Sequence, residues 1–241
     1  MTMELIGMPL SPFVKKCELV LREKGLEFTY RQISPLIERE AYLEYSPVGK
    51  MPILKDGDFA LPDSSAICAY LDAIAPEPPL LPAEPKDRAW VLWLEEYSDS
   101  ALLELCAGLF RCRFIGPRLM GLPVDEEGAQ ALLNDTLPPI FTYLEEQLAN
   151  GREYLWHGGY SLADAAVASQ LCMMVLAGGE VDPASWPKLA AWHERVRKRP
   201  AFQDCLAEEQ RFFDVWQNSD QFKPADGAAA ARQLRMDETD S

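Results

Sequence analysis

Five of the ten residues from Pro76 to Pro85 are proline: Pro76, Pro78, Pro79, Pro82 and Pro85. Each proline lacks a backbone N–H and fixes φ, so this stretch supports neither a helix nor a sheet ladder and reads as a stiff extended connector. It divides the 241 residues into a first unit of 1–76, a linker of 77–85, a second unit of 86–217 and a polar tail of 218–241. The two units carry different periodicities and must fold as different kinds of structure.

The first unit alternates strand and helix signals. Met3 to Ile6 reads as a short strand, and Phe13, Cys17, Val20 and Leu21 recur on one face of a helix that begins at Pro12. Glu27 to Ile33, rich in aromatic and β-branched residues, reads as a second strand, and strand–helix–strand within about thirty residues is a βαβ unit with a parallel pair. Ser34 to Tyr45 reads as a loop with a short irregular helix. Asp56-Gly57-Asp58 turns a hairpin between Ile53–Lys55 and Phe59–Leu61, and Asp63-Ser64 opens a helix bearing Ile67, Tyr70, Leu71 and Ile74. The order predicts a small mixed sheet with helices on it.

The second unit reads as helical throughout. A long amphipathic helix carries Trp90, Trp93, Leu94 and Tyr97 toward Ile115, with breaks expected at Gly116-Pro117 and Gly121-Leu122-Pro123. A further helix spans about 125–148, kinked or broken by Pro138-Pro139 and ended by Asn150-Gly151. Ser161-Leu162-Ala163-Asp164 is a capping signature, and the small residues after it suit a closely packed central helix. Pro187 and Pro200 begin two more.

Net charge is −15, from 38 acidic against 23 basic residues, which argues against nucleic acid or an anionic membrane as a partner. No apolar run reaches membrane length. The six cysteines are dispersed and only two histidines exist, so neither a disulfide framework nor a zinc site is expected, and a reducing cytoplasm fits. Cys17 falls on the apolar helix face and reads as core.

Three places carry chemistry. Ser11 lies at the N-cap before Pro12, where a hydroxyl meets free N–H groups and the positive end of the helix, a setting that favours an anion. Met51-Pro52 precedes a strand, and a cis Pro52 would leave the Met51 N–H and C=O open to pair with an extended peptide. Asp63-Ser64 sits at another helix N-terminus, where N–H groups and the Ser64 hydroxyl suit a carboxylate and Asp63 suits an ammonium.

Ser11-Pro12-Phe13, Gly49-Lys50-Met51-Pro52, Asp63-Ser64, the proline linker and Ser161-Leu162-Ala163-Asp164 stand in an order and spacing that resemble the soluble glutathione S-transferases over nearly the whole chain, to about residue 215. The resemblance implies an α/β thioredoxin-like N-terminal domain, an all-α helical-bundle C-terminal domain, a homodimer, glutathione as co-substrate and no metal. It implies that Asp63 and Ser64 hold the γ-glutamyl end and that Met51, ahead of Pro52, pairs with the cysteinyl backbone. Lys50 would reach the glycyl carboxylate, and Ser11 would face the thiol. The implied function is conjugation of the thiolate to a small hydrophobic electrophile. Glutathione-dependent isomerisation or dehalogenation at the same site, or a non-catalytic binding role, are the alternatives. Redox-active members of this fold carry Cys-Pro-x-Cys; Ser11 and Val14 occupy those places here, and a hydroxyl forms no mixed disulfide.

Overall fold

The structure, a computed structural model, describes residues 2–35, 38–149 and 151–218. Asn150, expected to end a helix, and residues 219–241 of the expected tail lie outside the described residues. The first domain runs β1 (Met3–Ile6), α1 (Pro12–Glu23), β2 (Phe28–Arg31), α2 (Arg39–Leu43), β3 (Ile53–Asp56), β4 (Phe59–Pro62) and α3 (Ser64–Ile74). The sheet order is β2-β1-β3-β4, with β1 parallel to β2 and antiparallel to β3, and β3 antiparallel to β4. This is the thioredoxin-like mixed sheet that the resemblance implies.

Residues 75–84 form neither helix nor strand, and α4 (Pro85–Tyr97) starts at the last residue assigned to the linker. Pro85 suits that place because a first-turn N–H would have no helical partner. The Glu84 carboxylate accepts from the Lys86 and Asp87 N–H groups, both at 2.9 Å, and caps the helix.

The expected break at Gly116-Pro117 does not occur. α4, α5 (Leu103–Phe110) and α6 (Gly116–Met120) run on through π turns at Ser98–Leu102 and Arg111–Ile115, and the run ends at Gly121 with φ 65°. A π turn widens the ladder, and one placed just ahead of Pro117 accommodates the missing N–H and the ring that would otherwise clash one turn back. The same device at Leu132–Thr136 precedes Pro138-Pro139 and joins α7 (Glu126–Ala131) to α8 (Leu137–Gln147).

The remaining helices are α9 (Leu162–Leu176), α10 (Pro187–Arg197) and α11 (Pro200–Asn218), so Asn218 belongs to a helix and not to the tail. α9 is buried along most of its length and packs against α1, α4 and α5. The C-terminal domain is thus a helical bundle around α9.

α1 is the hinge of the architecture. Cys17, Val20 and Leu21 are buried as their spacing predicts, but so are Lys15 and Lys16, each 1% exposed. The helix is enclosed by α3 on one side and by α9 and α11 on the other. Its cations meet acids of the second domain: Lys15 with Glu209 at 2.7 Å, Lys16 with Glu95 and Asp99, and Arg22 with Asp204 at 3.7 Å. Arg199 returns the favour to Glu23 at 2.7 Å. Buried charges persist only when paired, so the Lys15–Glu209 and Lys16–Glu95 pairs, buried on both sides, hold the two domains in one register.

Candidate active site

Strand register brings the three sequence-marked loops together. Ile6, the last residue of β1, pairs with Ile53, the first of β3, and Ile53 pairs in turn with Pro62, the last of β4. The loop carrying Ser11, the Met51-Pro52 bond and the Asp63-Ser64 step therefore leave the sheet at one end, side by side.

Ser11 caps α1 with extended backbone, φ −76° and ψ 125°. Its hydroxyl accepts from the Val14 N–H at 3.5 Å, the outer limit of a hydrogen bond, and donates to nothing among the described residues. The residue is 6% exposed, so this proton is held in a largely dehydrated place. The Phe13 N–H, second in the helix, has no intrahelical partner by geometry and adds to the positive end.

Met51-Pro52 is cis. Met51 is half-buried, and its N–H and C=O have no backbone partner among the described residues. Gly49, at φ 60°, turns the chain just before it; a Cβ there would stand 3.2 Å from Leu43 Cδ2 and 3.4 Å from Arg39 Cζ. Lys50 is exposed and makes no ion pair among the described residues. The Arg39 guanidinium, against the same turn, is a second cation beside Lys50 that the sequence reading passed over.

Asp63 caps α3, its Oδ1 accepting from the Ala66 N–H at 2.9 Å. Its φ of 78° lies in the left-handed half of the map, the one such non-glycine residue among those described. Strained backbone of this kind costs about 1–3 kcal/mol and persists where the surroundings impose it, often at ligand-binding sites. Asp63 is exposed, whereas Ser64 is 4% exposed with a hydroxyl that has no protein partner among the described residues. The Cys17 thiol donates to the Ser64 carbonyl at 3.7 Å and ties α3 to α1.

Beneath these loops lies a charge cluster that sequence reasoning missed. The Lys16 ammonium donates to Glu95, to Asp99 at 2.5 Å and to the Ser65 hydroxyl at 3.4 Å. The Ser65 hydroxyl donates to Glu95 at 2.5 Å. α1, the first turn of α3 and the helix of the second domain are thereby joined through one cation. Burial opposes the charged form of Lys16, but Cys68, Asp99 and Glu95 outweigh it and its pKa rises. For Asp99, burial wins: the carboxyl is pushed up to about 6, against the pull of Lys16 and with the Glu95 charge adding to the shift. At Asp99 the single Lys16 ammonium does not offset burial and the neighbouring Glu95 charge together.

Among other sequence-marked residues, Ser161 and Asp164 form a reciprocal capping box at α9 and are fully buried.

The geometry has close parallels. Residues 5–79 match the family model for the glutathione S-transferase N-terminal domain, and residues 122–209 match that for the C-terminal domain. The chain is 33% identical over 209 residues to a probable glutathione S-transferase GSTF2 of Oryza sativa, covering 83% of this chain and 94% of that one. It is 32% identical over 216 residues to glutathione S-transferase 3 of Zea mays, covering 85% and 93%. A crystal structure of a glutathione S-transferase from Rhodospirillum rubrum superposes with TM-score 0.78 at 25% identity, covering 92% of this chain and 96% of that one. Two domain models in the right order, and a relative aligned over almost its full length, place this chain in the glutathione S-transferase family.

Proposed function

We propose that this protein conjugates glutathione to a small hydrophobic electrophile, with Ser11 stabilising the thiolate. The observation that carries the reading is the hydroxyl at the α1 N-terminus: nearly buried, weakly engaged as an acceptor and with an unused proton. A free thiol titrates near pKa ~8.5, and bringing it to ~6.5 requires about 2.7 kcal/mol of preferential thiolate stabilisation. One hydroxyl hydrogen bond to a charged acceptor supplies about 1.5–3 kcal/mol. The helix N-terminus supplies about 0.3–1 kcal/mol more. No general base is needed.

In this reading Ser64 and the N–H groups of α3 hold the γ-glutamyl carboxylate, and Asp63 holds its ammonium. The Met51 backbone ahead of Pro52 pairs with the cysteinyl residue, and Lys50 takes the glycyl carboxylate. The protein works as a homodimer in the cytoplasm. Phe59, Ile74, Trp90 and Trp93, on β4, α3 and α4, are 48%, 43%, 37% and 47% exposed, and an apolar surface of that kind suits a second copy. Six free thiols suit a reducing compartment. Sedimentation at assay concentration checks the dimer, which a mass of one chain, 27.1 kDa, would refute.

Turnover with glutathione and 1-chloro-2,4-dinitrobenzene tests the function. Ser11→Ala is expected to keep the thermal midpoint of the wild type and to lose about 10- to 150-fold in rate, the fold-change equivalent of the lost hydrogen bond. Equal rates for the two proteins would remove Ser11 from the mechanism. Retention on immobilised glutathione without turnover of a panel of electrophiles would move the protein to a non-catalytic binding role.

A further inference from the structure

We propose that a cleft at the proline linker is a second binding site, for a small organic ammonium ion with an apolar body. The cleft, about 390 Å³, is enclosed by the end of α3, the linker, the start of α4 and the loop ahead of α9. That volume falls near the small end of the range for ligand sites. α3 carries Asp63-Ser64 at its first turn and the cleft at its last, about 15 Å along the helix axis, so the two sites are separate.

The walls of the cleft are fixed before any ligand arrives. Pro76, Pro79 and Pro82 line it, and proline has little backbone freedom to lose. The linker is tied to the first domain. Asp72 accepts from the Lys24 ammonium at 2.5 Å and from the Leu80 N–H at 3.0 Å, and Lys24 also donates to the Pro78 carbonyl at 2.6 Å. The second domain contributes Trp156, whose carbonyl accepts from the Gly159 N–H at 3.3 Å. Gly158 lies so close to the indole that a Cβ there would stand 2.3 Å from Trp156 Cζ2, so a side chain at 158 would displace the ring. A wall ordered in advance leaves less freedom to be lost on binding.

The charge in the cleft is one-sided. Asp72, Glu77, Glu84 and Asp87 line it, and no lysine, arginine or histidine does so among the described residues. Asp72 is met by Lys24 and Glu84 caps α4, which leaves Glu77 and Asp87. Glu77 is exposed and makes no ion pair among the described residues. Asp87 has His157 Nε2 at 3.6 Å, beyond hydrogen-bonding distance. A cleft lined by one sign of charge, with apolar walls, concentrates the opposite ion. The indole of Trp156 adds the attraction of an aromatic face for a cation. An ammonium group facing these carboxylates, with a hydrocarbon body against Trp156 and the prolines, uses both halves of the lining. A neutral guest leaves the carboxylates idle, and an anion is repelled.

Calorimetric titration at pH 8, where an ordinary imidazole is uncharged, compares 2-phenylethylamine with 2-phenylethanol, which has the same body and no charge. The expected result is saturable binding of the amine with Kd of about 1 mM or tighter. The alcohol is expected to bind at least about tenfold more weakly, the equivalent of one charge-assisted hydrogen bond. Combining Glu77→Gln with Asp87→Asn brings the amine down to the level of the alcohol, and Trp156→Leu weakens the amine about two- to fivefold. Melting curves confirm that each variant is folded, and Glu77→Gln alone, at an exposed position, gives a smaller loss of the same sign should the double variant melt early. An amine that does not saturate the protein, an alcohol that binds as tightly, or an amine affinity unchanged by both carboxylate variants would overturn the site. None of these outcomes bears on glutathione conjugation.

Discussion

The N-termini of α1 and α9 are built from the same materials and end in opposite states. At α9 the Asp164 carboxylate accepts from the Leu155 N–H, the Ser161 N–H and the Ser161 hydroxyl, all at 2.9 Å, and from the Trp192 indole N–H at 2.7 Å. Burial raises its pKa while these four donors pull the other way, and no part of the group reaches solvent. At α1 the Ser11 hydroxyl has one long contact and a free proton. A capping residue whose hydrogen-bonding capacity is fully engaged within the protein is structural. One that is left partly unengaged, at the same positive helix end, is available to a ligand.

The largest effect that tests this contrast is expected at the closed cap. Asp164→Ala leaves buried donors from the α8–α9 connection and a tryptophan without an acceptor, and such groups cost about 1–3 kcal/mol each when unsatisfied. Partial relaxation reduces the sum, so a loss on the order of 4 kcal/mol is expected in denaturant unfolding at pH 7, among the large values for single substitutions. A loss below about 1 kcal/mol, comparable to an ordinary exposed cap, would erase the distinction between the two helix ends. Ser11→Ala stands opposite: activity falls and stability does not.

How much of this was legible in the sequence follows from the range of each signal. Ser11, Asp63-Ser64 and Ser161–Asp164 declare themselves locally, because caps, Pro at the first helical position and apolar spacing all act within a turn or two. The α/β-then-helical division follows from the linker prolines for the same reason. Gly116-Pro117 misleads because the rule that proline ends a helix presumes an unbroken α ladder, and a π turn ahead of the ring removes that premise. Nothing local marks Lys15 and Lys16 as buried, because their partners Glu209, Glu95 and Asp99 lie far along the chain. The stacking of Phe110 on Trp216 joins residues about a hundred positions apart, which no local pattern signals. Arg39 was hidden in the segment with the weakest periodicity.

The smaller and sharper test is at the third cap, Asp63, which combines both states: its Oδ1 is engaged by the Ala66 N–H, yet the residue is exposed and its backbone strained at φ 78°. Glycine tolerates that conformation, caps a helix only a few tenths of a kcal/mol less well than aspartate, and pays more chain entropy on folding, by roughly 0.5–1 kcal/mol. Against a strain of about 1–3 kcal/mol the balance for Asp63→Gly is a stability equal to the wild type or up to about 1 kcal/mol higher. Asp63→Ala keeps the strain and loses the cap, so it is expected to be less stable by about 1 kcal/mol. If the exposed carboxylate is a ligand group, both variants raise KM for glutathione by about tenfold or more, the equivalent of one charge-assisted hydrogen bond. Thermal or denaturant unfolding alongside KM separates the outcomes. A glycine variant that gains stability and loses affinity shows that the strained backbone serves the ligand and not the fold, whereas one that keeps its affinity would class Asp63 with Asp164 as a structural cap.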